Sequence, residues 1–207
     1  MKIAIVDYSI GNIKSISNAI ESIGAKVVLT SRESELESAD GLILAGVGSF
    51  SAAVLSLRER KLDATLDRLV IQNGKPILGI CLGLQVMTMA SEESSLKGLG
   101  WLPYKTVRLP IIEGLKTPNI NWMPVKVLKK DALTSKTEGN QKFYFSHSFA
   151  ILEAPTSDVS MLTITNPAYI AGVSRKNIYG VQFHPEKSHD FGWSLLRNFV
   201  ELACDND

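Results

Sequence analysis

The sequence predicts an α/β fold with a mainly parallel central sheet flanked by helices and with antiparallel strands added in the C-terminal half. Two observations predict the parallel part: short, almost uninterrupted apolar runs, and helical spacing between them. A strand buried on both faces loses the polar–apolar alternation of a half-exposed one, and parallel strands need crossover helices. A third observation predicts the antiparallel part. Beyond residue 100 the apolar runs crowd together, separated by turn signals such as Glu138-Gly139-Asn140 and Asn166-Pro167.

Taken in order, Ile3 to Val6 reads as a buried strand. Asn12 to Ile23 has helical spacing, with Ile13, Ile16, Ile20 and Ile23 on one side. Val27 to Leu29 and Gly41 to Leu44 are the next strands. Ala52 to Leu57 and Leu62 to Ile71 read as helices. Pro76 to Ile80 is a fourth strand and Leu82 to Ala90 the helix after it. The second half carries β-like runs at 105–109, 125–128, 143–146, 159–165, 169–173 and 178–183. Gly192 to Ala203 is an amphipathic helix bearing Leu195, Leu196, Phe199 and Leu202.

With 207 residues and 45% hydrophobic content, the chain fills one core, so a single domain over 1–207 is expected. Its 22 basic and 21 acidic residues form no stripe or tail, which argues against nucleic acid or a membrane surface as partner. No apolar run approaches the ~18 residues of a spanning helix. The opening segment stops at Asp7 without a small-residue cleavage site, so it reads as a strand and not as a signal peptide. Two distant cysteines, Cys81 and Cys204, make no disulfide scaffold; a reduced, cytoplasmic setting is expected. No Cys or His pair has ligand spacing, so no metal is expected.

Gly79-Ile80-Cys81-Leu82-Gly83 lies between an apolar strand and a helix. It has the form of a nucleophile elbow with sulfur in place of oxygen. A sharp strand-to-helix turn strains the nucleophile and crowds the residues two positions away, which must then lack a Cβ. The helix N-terminus favours thiolate, and the backbone N–H of Leu82 lies where an oxyanion forms. An isolated cysteine is more often a small core residue; the flanking glycines reverse that preference. Cys204, on the last helix, has no such setting.

The matching base is found in Gly180-Val181-Gln182-Phe183-His184-Pro185-Glu186. A residue before proline is pushed to extended geometry, in which positions i and i+2 project to one side. Glu186 is therefore expected to orient His184, completing a nucleophile–base–orienter triad. His147, ending an apolar run, is the second-choice base; His189, in a polar stretch, reads as solvated.

Gly79-Ile80-Cys81-Leu82-Gly83-Leu84-Gln85 and Phe183-His184-Pro185-Glu186 together resemble the signature pair of the class I, or triad, glutamine amidotransferases. Four further features resemble one branch of that family, the glutaminase subunit of imidazole glycerol phosphate synthase in histidine biosynthesis. They are Asp7-Tyr8 with Gly11-Asn12, the loop Gly46-Val47-Gly48-Ser49-Phe50, the segment Lys116-Thr117-Pro118-Asn119-Ile120-Asn121-Trp122, and His184-Pro185-Glu186-Lys187-Ser188. The resemblance runs from Met1 to the last helix and implies a flavodoxin-like fold.

By the resemblance, Cys81 attacks the carboxamide of L-glutamine, His184 relays the proton to departing ammonia, and Glu186 aligns His184. Val47 and Leu82 would form the oxyanion hole by their backbone. Gly48, Gln85, Ser148 and Phe149 would hold the substrate. No cofactor is implied. The ammonia would pass to a (β/α)₈-barrel synthase subunit, contacted through Asn12, Asn119, Asn121, Trp122 and Lys187, although Trp122 reads equally well as a core residue.

Two positions depart from the family pattern. Ala45 stands where proline is usual, and Asn119-Ile120-Asn121-Trp122-Met123 replaces a His-(hydrophobic)-Gly-Trp-Asn segment. The second departure lies on the partner side. It keeps open a paralogous role, feeding ammonia to a related synthase that makes amidino sugars for surface polysaccharides. The rival classes are another cysteine hydrolase of the same superfamily and a non-catalytic subunit.

Overall fold

The computed structural model describes residues 1–11, 13–111, 117–135 and 140–204. The first half follows the expected alternation: β1 (Lys2–Val6), α1 (Ile13–Ser22), β2 (Lys26–Thr30), α2 (Glu33–Glu37), β3 (Gly41–Gly46), α3 (Phe50–Glu59), α4 (Leu62–Asp67), β4 (Ile77–Cys81) and α5 (Leu82–Met87). β1 pairs in parallel with β2 and β3, and β3 with β4. β1 after Lys2, β3 and β4 are apolar because both faces are covered, whereas β2, at the sheet edge, leaves Lys26 and Leu29 exposed. Ile3 and Ile5 pack with Ile16 and Ile20 of α1, whereas Ala4 and Val6 pack with Phe50, Val54 and Leu57 of α3. Each buried Leu, Ile or Phe side chain contributes about 1.5–3 kcal/mol.

The second half comprises β5 (Thr88–Ser91), β6 (Ser94–Lys97), β7 (Leu102–Arg108), β8 (Asn119–Val127), β9 (Asn140–His147), β10 (Phe149–Ala150), β11 (Val159–Thr163), β12 (Ile170–Arg175), β13 (Ile178–Val181) and α6 (His189–Cys204). The main sheet has the order β2-β1-β3-β4-β13-β12-β11-β8-β9, and β10-β7-β5-β6 form a second sheet. β12, β11, β8 and β9 are antiparallel additions, as expected. β13 is not: it runs parallel to β4 and joins the two halves of the sheet.

Several boundaries differ from the sequence reading, each for a local reason. The helix expected over Leu82 to Ala90 stops at Met87, where the hydroxyl of Thr88 takes the carbonyl of Gln85 (2.7 Å) and the chain turns into β5. The helix over Leu62 to Ile71 loosens after Asp67 into a π turn, Arg68–Gln72. There the side chain of Asn177 draws off the Val70 carbonyl (2.8 Å). β8 starts six residues before the expected 125, because its polar first half pairs with β9 from Asn119 onward. The amphipathic last helix begins earlier than Gly192, at His189. The short α2, β5, β6 and β10 have no periodicity long enough to read.

Candidate active site

Cys81 ends β4, with φ 53° and ψ −108°, a conformation that non-glycine residues seldom adopt. Two glycines make the bend possible. A Cβ on Gly83 would lie 1.7 Å from the carbonyl oxygen of Leu44, and one on Gly79 2.8 Å from the backbone nitrogen of Leu84. Helix propensity favours alanine over glycine by about 1 kcal/mol. At Gly83 that preference is overridden, because the obstacle is the backbone of a fully buried strand. Gly83→Ala is expected to cost about 3 kcal/mol of stability, the upper end of ordinary overpacking; an unchanged urea midpoint would contradict this steric reading.

Register then gathers the site. β3, β4 and β13 are neighbouring parallel strands, with Gly46 opposite Cys81 and Ile80 opposite Val181. The segments leaving them, Val47-Gly48, Cys81-Leu82 and Gln182-Phe183-His184, emerge at one sheet edge. This carboxyl edge is where open α/β sheets bind ligands.

His184 is braced on both sides. Its N–H donates to the Tyr144 carbonyl (2.8 Å), and its carbonyl accepts from the Ser188 hydroxyl (2.6 Å). Its Nδ1 lies 2.9 Å from Glu186 Oε1, with the side chains 4% and 2% exposed. The pairing was expected, but its geometry differs. Pro185–Lys187 form a 3₁₀ turn and not an extended segment, so Glu186 folds back onto the ring. The carboxylate can only accept, so Nδ1 carries the proton and Nε2 is left for the thiol. Nε2 makes no hydrogen bond among the described residues, yet the Cys81 sulfur is near enough to act on it. Burial is the largest influence and opposes the imidazolium; the Cys81 sulfur and Glu186 together outweigh it and raise the His184 pKa to about 9.

A cleft of about 270 Å³ opens on Cys81. Val47, Gly48, Leu82, Gln85, Ser148 and Phe149, the residues expected to hold the substrate and oxyanion, all line it. Gly48 has φ +115°, which only glycine adopts freely. Gln85 donates to the Phe149 carbonyl (2.9 Å) and to Gln182 Oε1 (3.1 Å). Glu93 and His147 also line the cleft. Burial pushes the His147 pKa down to about 4, against the raising effect of the Phe149 carbonyl 2.9 Å from its Nδ1. His147 is thus a neutral wall residue, its Nε2 3.5 Å from the Asn119 amide.

Sequence reasoning missed Glu93 and Gln182. Glu93 sits in the polar run Glu92-Glu93-Ser94, and only the β5–β6 hairpin carries it to the cleft. Gln182 did carry a signal, a polar side chain between Val181 and Phe183, and it is fully buried.

The expected partner contacts divide. Asn12 lies outside the described residues. Asn119 is corrected: it is 3% exposed and bonds the Tyr169 hydroxyl at 2.7 Å, so it braces the cleft from behind. Asn121, Lys187 and Trp122 are exposed, which removes Trp122 from the core. Trp122 stacks on His189 with ring centroids 4.9 Å apart, so His189 is not merely solvated.

The family model for class I glutamine amidotransferases matches residues 4–202, and the chain belongs to that family. The chain is 42% identical over 201 residues to imidazole glycerol phosphate synthase subunit HisH 2 of Methanococcus maripaludis, covering 97% of this chain and 100% of that one. It is 37% identical over 201 residues to the protein of the same name from Pseudomonas aeruginosa, with the same coverage. A solved glutamine amidotransferase superposes with a TM-score of 0.78 at 18% identity, covering 97% of this chain and 98% of the other, and shares the fold.

Proposed function

We propose that this chain is the glutaminase subunit of an imidazole glycerol phosphate synthase, a single domain over 1–207 that works in the cytoplasm on the histidine pathway. The observation that carries the reading is the strained Cys81 beside a buried His184–Glu186 pair at the mouth of a cleft. Cys81 attacks the carboxamide carbon of L-glutamine. The backbone N–H groups of Val47 and Leu82 receive the oxyanion. His184 protonates the departing ammonia, and water then hydrolyses the thioester. Glu93 is placed to meet the substrate α-ammonium; both amide protons of Gln85 are committed to protein acceptors, so Gln85 offers the substrate its oxygen. The names of the relatives above favour this pathway over the polysaccharide alternative.

Hydrolysis alone yields free ammonia, so a consumer must be docked nearby. The exposed patch beside His184 suits that docking. Trp122 meets the edge of Tyr144 at 6.0 Å, the Lys187 ammonium lies over the Tyr144 ring at 5.4 Å, and that ring is 6.3 Å from His184. We assign this patch to the (β/α)₈-barrel synthase subunit. Trp122→Ala is expected to weaken the heterodimer by about 2 kcal/mol, roughly thirtyfold in Kd, with the fold intact. Glutamine hydrolysis measured with and without the barrel subunit tests the assignment: the rate should rise on addition of the partner, and equal rates would count against it.

A further inference from the structure

The amide of Gln182 lies 3.7 Å from the Cys81 sulfur, and its orientation is fixed from a distance. The Phe149 carbonyl can only accept, so Gln85 turns its NH₂ toward it, at 2.9 Å. The same nitrogen is 3.1 Å from Gln182, which must therefore present its oxygen there. That leaves the NH₂ of Gln182 facing the sulfur. Carbonyl, Gln85, Gln182 and sulfur form one chain with a single allowed polarity, and Gln182 is 0% and Gln85 4% exposed.

We propose that Gln182 is a positioning residue for the nucleophile: its amide donates to Cys81 and favours the thiolate, while Gln85 and the Phe149 carbonyl on the cleft wall hold it in that orientation. The proposal rests on the reading of Cys81 as the nucleophile. An N–H aimed at sulfur in a dry site stabilises the anion more than the neutral thiol. The titratable groups facing the sulfur are His184, with Glu186 behind it, and Tyr8. The Tyr8 hydroxyl has no hydrogen bond among the described residues, and its pKa is raised by burial and then by Cys81. Glu93 and His147 line the same cleft as Cys81. The substitutions at position 182 leave all of these in place.

The test is the pH dependence of iodoacetamide alkylation at Cys81, read by peptide mapping, together with glutaminase kinetics of the partner-bound enzyme. Gln182→Met keeps the bulk and removes both polar atoms. Its alkylation midpoint should rise by about one pH unit, with kcat down about tenfold and KM within about twofold. Gln182→Glu keeps an acceptor for Gln85 but sets an anion beside the sulfur, and its midpoint should rise further. If Gln182 only braced Gln85, Gln182→Glu would behave as the parent, and Gln182→Met would raise KM without moving the midpoint; that pattern overturns the proposal. Should Gln182→Glu fail to fold, the midpoint in Gln182→Met decides alone. If Cys81→Ser keeps the parent's glutaminase activity, the nucleophile assignment itself fails, a result distinct from an unmoved midpoint.

Discussion

Cys81→Ala is expected to reduce ammonia release from glutamine by at least about 10⁴-fold, because Cys81 is the one thiol lining the cleft among the described residues and carries the acyl intermediate. Cys81→Ser should be nearly as inactive. A hydroxyl in the same strained turn gains little from a pair tuned to a thiol. Binding of glutamine should survive in both variants, since Gly48, Gln85 and Ser148 are untouched. Cys204→Ser is the control and should retain full activity, for it sits on α6, remote from the cleft. Activity retained in Cys81→Ala would remove the basis of the mechanism.

The second large effect concerns the base. His184→Ala should cost about 10⁴-fold in kcat, and Glu186→Gln about 10²–10⁴-fold, since an amide no longer enforces the tautomer that leaves Nε2 for sulfur. His147→Ala should chiefly raise KM by loosening the cleft wall. A larger loss of kcat in His147→Ala than in His184→Ala would reverse the assignment of the base. The pair also makes stability depend on pH. The His184 pKa stands at about 9 in the fold against an ordinary 6.5. Its protonation thus stabilises the fold fully below pH 6.5, and that contribution is lost as the pH climbs through 9. The melting temperature should fall over that window more steeply in the parent than in His184→Gln.

Local chemistry made most of this site legible in the sequence. Glycines two residues either side of Cys81 announce a turn that excludes side chains, and the parallel strand pattern places that turn at the carboxyl edge. His184 and Glu186 were readable as a pair even though their actual contact runs through a 3₁₀ turn, because proline restricts the chain in either geometry. What could not be read depends on register between distant segments. Nothing near Glu93 marks it for the cleft; the β5–β6 hairpin, held against β7, carries it there. Asn119 looked like a surface residue of a polar segment, and only the pairing of β8 with β9 turns it inward against Tyr169 and His147. The parallel placement of β13 was hidden among antiparallel neighbours for the same reason.

The most direct measurement is stoichiometric labelling by a glutamine-analogue electrophile, mapped by peptide mass spectrometry in the complex with the partner subunit. One label per chain, carried on Cys81, protected by L-glutamine and lost in His184→Ala, is the expected result. Labelling at Cys204, or labelling of Cys81 that neither glutamine nor the loss of His184 changes, would contradict the thiolate–imidazolium pair on which the whole account depends.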